Sequence, residues 1–351
     1  MDKRLCYISR NYRNKTSSGN KAKTDNEATL REMGAVNLGL PTTYYKSKVL
    51  TFLLDLFGIV HFVFAVRPDD IILLQYPVKK YFSFVCNVAH LRHAHIIALI
   101  HDLGSMRRKR LTVRKEISRL MHADCVIASN GTMRDWLERQ GYSHKLGNLQ
   151  LFDYRSVGKA PIKELTQKPD PFRIVYAGAL ARRKNTFLMK METSAEHYQL
   201  IICGNRNGLP GLKESEHLKL HGFMSPEDFI TSMQGDFGLV WDGDSLDECT
   251  GDFGEYLRWN SPHKASFYLR AGLPLIVWSQ SALAKIVKQE GVGICINHIG
   301  DLNDILPQLT LEEINSMKRN VARVSERLSH GDYFKDALKS SIQTEQEKHD
   351  K

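Results

Sequence analysis

Short runs of aliphatic and β-branched residues recur along the whole chain, and most are separated by stretches with helical periodicity. In the first half these runs fall at residues 5–9, 71–75, 96–100, 125–128 and 147–151. Helical patterns occupy 26–33, 47–63, 79–90, 110–121 and 130–139. A polar stretch at 154–170, with Pro161 and Pro169 inside it and Pro171 just beyond, interrupts the alternation. It resumes with runs at 173–177, 199–203, 218–221, 237–240, 275–278 and 292–296. Strands separated by helices pair in parallel rather than as hairpins, and a parallel sheet needs helices on both faces. A chain of 351 residues exceeds the usual size of one domain. The pattern therefore predicts an α/β fold of two doubly wound, Rossmann-like domains facing across a cleft, over 1–155 and 172–327, with 156–171 as linker and 328–351 as a final helix and charged tail. Ligands of such sheets lie at the carboxyl ends of the strands, so the cleft is the expected site.

Hydrophobic residues at 42% and charged residues at 25% fit a globular protein and exclude a disordered one. The six cysteines show no CxxC pair or metal-ligand spacing and read as buried free thiols of a reducing compartment. The first residues carry no long apolar run with a small-residue cleavage site, so no signal peptide is expected. Residues 49–66 approach the length of a spanning helix, but Asp55 near their middle would cost about 2.5–3.5 kcal/mol on insertion. They are read as a buried core helix, with a helix lying in a membrane interface as the alternative.

The net charge of +10 is uneven. Residues 1–155 hold 25 Lys and Arg against 13 Asp and Glu, a net of +12, whereas the remainder is slightly acidic. The densest run is Arg107–Arg110, followed by Arg114, Lys115 and Arg119. It carries no interleaved aromatics for stacking bases, so nucleic acid is not the expected partner. An anionic membrane surface or a diphosphate-linked acceptor would be drawn by the same charge, and a solvated helix face is the plain alternative.

The segment 260–278 reads as a loop, a short helix, a turn and a buried strand. Ser261 is the expected cap, Pro262 the first helical residue, and Gly272 with Pro274 the helix end. Lys264 then falls in the first turn, where free amides and the positive end of the helix dipole already favour an anion. The strand at 173–177 ends in Gly178 and is followed by Arg182, Arg183 and Lys184. Glycine at a strand end permits close backbone approach, and such cations suit a diphosphate. No GxGxxG or GxxxxGKS is present, which argues against a dinucleotide enzyme or a P-loop ATPase.

These residues resemble a known family. Gly254-Glu255-Tyr256, Asn260-Ser-Pro-His-Lys264 and the run from Tyr268 to Trp278 resemble the donor-binding signature of glucosyltransferase 3-like bacterial glycosyltransferases, a group that includes galactofuranosyltransferases. The resemblance implies a GT-B fold, a uridine-diphosphate sugar donor and transfer of a hexose to a glycan acceptor, free or lipid-linked, in surface polysaccharide or glycoprotein glycan assembly. It implies a cytoplasmic enzyme, at the inner face of the membrane if peripherally bound, and leaves a homo-oligomer open. Lys264 then matches the diphosphate-binding lysine, Arg182 or Arg183 the cation after Gly178, and residues from Thr16 to Gly19 a donor-contacting loop; Asn260 and Tyr268 complete the donor set. In the resembled fold the last helices cross back to the first domain. The helical periodicity of Leu311, Ile314, Met317, Val321 and Val324 equally suits a surface helix.

Transfer requires stabilisation of charge on the leaving diphosphate and removal of a proton from the attacking hydroxyl. Asp102, with His101 as the alternative base, follows the run 96–100 at a strand's carboxyl end; a turn cap before Leu103 is an equal reading of Asp102. A non-catalytic polybasic protein and a sugar-nucleotide epimerase or dehydrogenase are the other function classes considered. The first leaves 260–278 without a purpose, and the second lacks its glycine fingerprint after residues 5–9.

Asp242-Gly243-Asp244 matches a short metal-binding pattern, but 39 acidic residues make a chance match common. It is read as a loop near the donor. Asp247, Glu248, Asp252 and Glu255 extend it as candidate partners of sugar hydroxyls, and His90, His93 and His95 are read as surface or capping groups. No cofactor beyond the donor substrate and no essential metal is expected. Transfer or donor hydrolysis should therefore persist in excess chelator; complete loss, restored by manganese, would place the reaction in the metal-dependent class.

Overall fold

The computed structural model describes residues 3–14, 18–77, 81–107, 111–191 and 195–349. They form two compact units, Met1–Asp153 with Gly331–Lys351, and Tyr154–His330.

The first unit carries β1 (Leu5–Tyr7), β2 (Val36–Asn37), β3 (Ile71–Tyr76), β4 (His95–Ile100), β5 (Cys125–Ala128) and β6 (Lys145–Asn148). They form one parallel sheet in the order β2-β1-β3-β4-β5-β6. The central strands β3, β4 and β5 are almost entirely apolar and buried on both faces, with Gln75 in β3 and His95 in β4 the half-buried polar positions, which is why they show as near-continuous hydrophobic runs. The edges were less legible. β2 is two residues long, and β6 begins before the apolar run at 147–151 because an edge strand needs less burial. Leu149 and Leu151 are buried beyond its end. The helix expected at 26–33 spans Ser18–Glu32, so its start is earlier than the apolar pattern suggested.

The last helix, Asp332–His349, belongs to this unit and packs against β5 and β6. Buried Asp153 accepts hydrogen bonds from the backbone N–H groups of Tyr333 (3.3 Å) and Phe334 (2.8 Å), satisfying free donors of the first turn. Burial pushes the Asp153 carboxyl up to about 8, against the opposing effect of those two amides.

The second unit carries β7 (Phe172–Ala177), β8 (Tyr198–Cys203), β9 (Leu218–Leu220), β10 (Phe237–Val240), β11 (Leu275–Trp278) and β12 (Gly293–Ile296). Their order is β12-β11-β10-β7-β8-β9, again all parallel. The chain moves outward from β7 to β9 and then returns to the other side of β7 with β10. That reversal leaves a crevice at the carboxyl ends of β7 and β10. The stretch read as a linker is strapped to this unit. Buried Arg270 donates to the Tyr154 carbonyl (3.1 Å), Ser156 Oγ (2.8 Å), the Gly158 carbonyl (2.8 Å) and Ser325 Oγ (2.8 Å).

One expectation is overturned. The apolar segment at 49–66 forms the helix Lys48–Ala65 but is not a buried core helix: only 17% of it is covered. Gly58, Ile59 and Phe62 face the unit, while residues such as Phe57 (59% exposed) and Phe64 (80% exposed) face outward. Apolar residues occupy nearly every position, so periodicity carried no contrast from which to read a covered face.

All six cysteines are free, five of them buried and Cys295 half-buried. Burial pushes the thiols of Cys6, Cys86 and Cys203 up to about 12.

Gly238 in β10 lies directly under the fully buried Tyr268 ring, where an added Cβ would stand 2.4 Å from Tyr268 Cγ. Gly238→Ala should destabilise the protein by about 1–3 kcal/mol, as overpacking a filled core does. A urea midpoint equal to that of the parent protein would contradict this packing.

Candidate functional site

At the carboxyl end of β7 the backbone turns through Gly178 at φ +138°, a conformation open to glycine and costly for other residues. The nearest atom to where its Cβ would stand is Lys264 Cε, at 3.7 Å. Lys264 comes from the helix His263–Arg270. Its N-cap is Pro262, with no side-chain cap, so Ser261 is not the cap and Pro262 stands one position before the first helical residue. The physical reason is the extended Pro262 backbone, ψ 136°, whose carbonyl instead accepts the Ala265 N–H. Lys264 remains in the first turn. Gly272, at φ +76°, follows the C-cap Ala271.

The Lys264 ammonium lies 3.7 Å from the Tyr176 ring centroid and 3.8 Å from Asp242 Oδ1. Asp242 follows β10 and is buried. Its other oxygen lies 3.5 Å from the Lys184 ammonium, and the Tyr176 hydroxyl donates to Oδ1 at 3.0 Å. Asn185 donates to that hydroxyl in turn. Two ammonium groups therefore share one carboxylate. Burial, then the neighbouring Lys184, lower the Lys264 pKa to about 7, although Asp242 acts to raise it. With both lysines protonated the arrangement has one positive charge more than its carboxylate neutralises, beside an open backbone turn at the strand reversal. It suits an anion.

The sequence pointed to Arg182 or Arg183 as the second cation, and the structure brings Lys184 to the carboxylate instead. Arg182 is exposed in the short helix Arg182–Asn185, and Arg183 lies 5.0 Å from the Phe253 ring. Successive helical residues point about 100° apart, so only one of the three can face Asp242, and the sequence carries no signal for which. Backbone bonds from Gly243 N to the Lys184 carbonyl (2.7 Å) and from Phe187 N to the Gly243 carbonyl (3.3 Å) clip the two loops together.

Tyr268, expected to contact donor, is fully buried, with its hydroxyl accepting the Ala177 N–H at 2.7 Å. It positions the end of β7 from behind. Asn260 is half-buried, and its side-chain oxygen is enclosed without a hydrogen-bond partner among the described residues. The two acids of the 242–244 pattern part ways: Asp244 accepts from Thr250 Oγ1 at 2.5 Å, on the exposed side of the loop. Glu248 and Glu255 line a cleft of about 250 Å3 with Arg258 and Trp259.

The first unit presents its own crevice where its strand order reverses, between β1 and β3. A cleft of about 940 Å3 opens there, with Ser9, Arg10, Arg13, Lys46, Asp55 and Gln75 among its walls. His101 follows β4, pairs through Nε2 with Gln75 Oε1 (3.0 Å) and stacks on Phe152 at 5.0 Å. Asp102 is ion-paired to Arg107. That turn is held by buried Glu116, which accepts from Gly104 N (2.8 Å), Ser105 N (2.7 Å) and the Tyr76 hydroxyl (2.8 Å). Glu27 does the same for the loop after β1, accepting from Ser9 (2.8 Å), Thr42 (2.9 Å) and Tyr12. Burial raises its pKa. Neither glutamate could be singled out in sequence, since each lies in an ordinary helical pattern. Gly19 is exposed in the first turn of Ser18–Glu32, and no described atom lies within 4 Å of its Cβ position. Thr16 and the cations Arg108 to Arg110 lie outside the described residues.

Comparison with known proteins bears on both units. Residues 5–151 match the family described as glucosyltransferase 3-like, N-terminal domain, and residues 174–341 match its C-terminal domain. The β-1,6-galactofuranosyltransferase WbbI of Escherichia coli K12 is 29% identical over 283 residues, covering 80% of this chain and 82% of that protein. Glucosyltransferase 3 of Streptococcus gordonii is 24% identical over 285 residues, covering 79% and 80%. Among solved structures, the apo lipopolysaccharide outer core galactosyltransferase WaaB superposes with a TM-score of 0.60 at 13% identity, over 96% of this chain and 99% of that one. That likeness extends to the GT-B fold.

The lowered pKa of Lys264 has a measurable sign. A bound diphosphate would raise it, so binding of uridine diphosphate should be strongest where Lys264 is already protonated and should weaken as pH rises above about 7. Proton uptake on binding, read by calorimetry in two buffers of different ionisation heat, should accompany it. Binding without uptake and independent of pH would show that Lys264 does not meet the ligand.

Proposed function

Because the chain belongs to the glucosyltransferase 3-like family and is a glycosyltransferase of GT-B fold, we propose that it transfers a hexose, glucose or galactofuranose, from a uridine-diphosphate sugar to a glycan hydroxyl. The observation that carries this reading is the surplus cation at Gly178, Lys264, Lys184 and Asp242, set at the strand reversal of the second unit. The names of the two relatives support the choice of sugars. A role in bacterial surface polysaccharide assembly on the cytoplasmic side is part of the same proposal.

In the reaction the acceptor oxygen forms a bond to the anomeric carbon, and the bond from that carbon to the diphosphate breaks with its electron pair on the leaving oxygen. Charge grows on the diphosphate as the bond lengthens. Lys264, protonated, answers that charge from a site where desolvation makes each contact stronger than in water. Lys184 adds a second cation, and the exposed Arg182 and Arg183 remain available to the outer phosphate. Asp242 holds both lysines in place through its two oxygens. Two ammonium groups and a phenol already occupy its surroundings, which disfavours a divalent cation there and supports chemistry without an essential metal. Asp102 and His101 are the proposed bases for the acceptor proton, and the Gln75 contact ties His101 to a wall of the first unit's cleft. The polybasic, non-catalytic alternative is set aside by family membership.

Lys264→Ala should weaken uridine diphosphate binding roughly tenfold to a hundredfold, since a charge-assisted contact contributes about 1.5–3 kcal/mol. Asp102→Asn should leave that affinity unchanged and depress transfer by about 10²-fold or more if it removes the general base. Calorimetry on both folded variants, with a donor screen for release of uridine diphosphate, checks the assignment. Unchanged affinity in Lys264→Ala would put the diphosphate elsewhere.

A further inference from the structure

The helix Lys48–Ala65 combines a mean hydropathy of 1.9 with very little cover. At 100° per residue, buried Gly58 and Phe62 point to one side, and the His61 ring pairs with the Leu38 carbonyl at 2.9 Å. On the opposite side Val49, Leu53, Leu56, Phe57, Val60 and Phe64 form one stripe, each 37–80% exposed. An exposed apolar face of this extent is a docking surface in a folded protein. Asp55, whose cost in a spanning helix seemed to exclude lipid, sits away from the stripe and lines the first unit's cleft. A helix anchored along one side and lying flat exposes no acid to hydrocarbon.

Charge identifies the occupant. Lys46 and Lys48 are exposed at the start of the helix, and the Arg13 guanidinium donates to the Lys46 carbonyl at 3.2 Å. All three line the cleft along with Phe52 of the helix itself. Cations beside an outward apolar stripe match an anionic headgroup layer over acyl chains. A second copy of the chain would cover the stripe but present the same basic surface. We propose that this face docks on an anionic lipid bilayer, with the helix in the plane of the headgroup boundary and Arg13, Lys46 and Lys48 at phosphate level. The cleft, which shares Lys48, Thr51, Phe52 and Asp55 with the helix, would then open beside the membrane surface. The docking does not rest on the donor assignment.

The test is flotation of the full-length protein with vesicles of phosphatidylglycerol and phosphatidylcholine, against vesicles of phosphatidylcholine alone. The protein should float with the anionic vesicles, and Phe57→Glu/Phe64→Glu should reduce the bound fraction roughly tenfold or more. Both residues are exposed, so uridine diphosphate affinity and melting temperature, measured in parallel, should stay at parent values. Lys46→Glu/Lys48→Glu should weaken flotation chiefly at low salt. Equal flotation with and without the two glutamates at Phe57 and Phe64 would overturn the proposal. So would equal binding to neutral vesicles. A concentration-dependent dimer in sedimentation velocity, abolished by the same glutamates and accompanied by no lipid binding, would assign the face to a second copy instead.

Discussion

The second unit is organised around one carboxylate that must answer two ammonium groups. Asp242 can do so because Tyr176 and Asn185 fix it from below and the adjoining loops are joined by backbone bonds. An ion pair removed from water is stabilising only when its remaining hydrogen bonds are met, and the Tyr176 hydroxyl supplies one of them to Asp242. What is left over is positive charge at a place where the sheet reverses direction. Lys264, its pKa lowered to about 7, takes up a proton when an anion arrives, so the site's grip on a diphosphate depends on pH where that of an arginine would not.

Much of this fold was legible because buried parallel strands are written as uninterrupted aliphatic runs. β5, β10 and β11 have the bounds their sequence suggested, whereas β2 is too short to carry a pattern and β6 is an edge strand with a mixed one. Lys264 could be found because Pro262 and Gly272 bracket a short helix, even though the cap is Pro262 itself rather than Ser261. Lys184 could not be told from Arg182 and Arg183, since which of three consecutive cations turns inward depends on a helix of four residues and on the loop it meets. Glu27 and Glu116 escaped for a related reason: their value lies in partners distant in sequence, such as Thr42 and Tyr76.

The helix Lys48–Ala65 shows a different limit. Apolar character measures the cost of contact with water and does not say what replaces it. Protein interior, lipid and another chain are equivalent to a hydropathy scale; only the neighbours distinguish them. Here the neighbours bury Gly58, Ile59 and Phe62 and leave the opposite side exposed. The same ambiguity affected Asp55, whose position along the helix suggested exposure to hydrocarbon while its position around the helix places it on a cleft wall.

The Asp153 contacts carry a consequence for how the protein comes into being. Its side-chain oxygens meet the amides of Tyr333 and Phe334, 180 and 181 residues further along the chain. The second unit is thus an insertion within the first, and the strands β1 to β6 leave the ribosome long before the helix that covers β5 and β6 has been made. During synthesis the second unit has all its strands before the first has all its helices. The earlier-made half is therefore the later one to be finished, and it must remain soluble in the interval with part of its sheet uncovered.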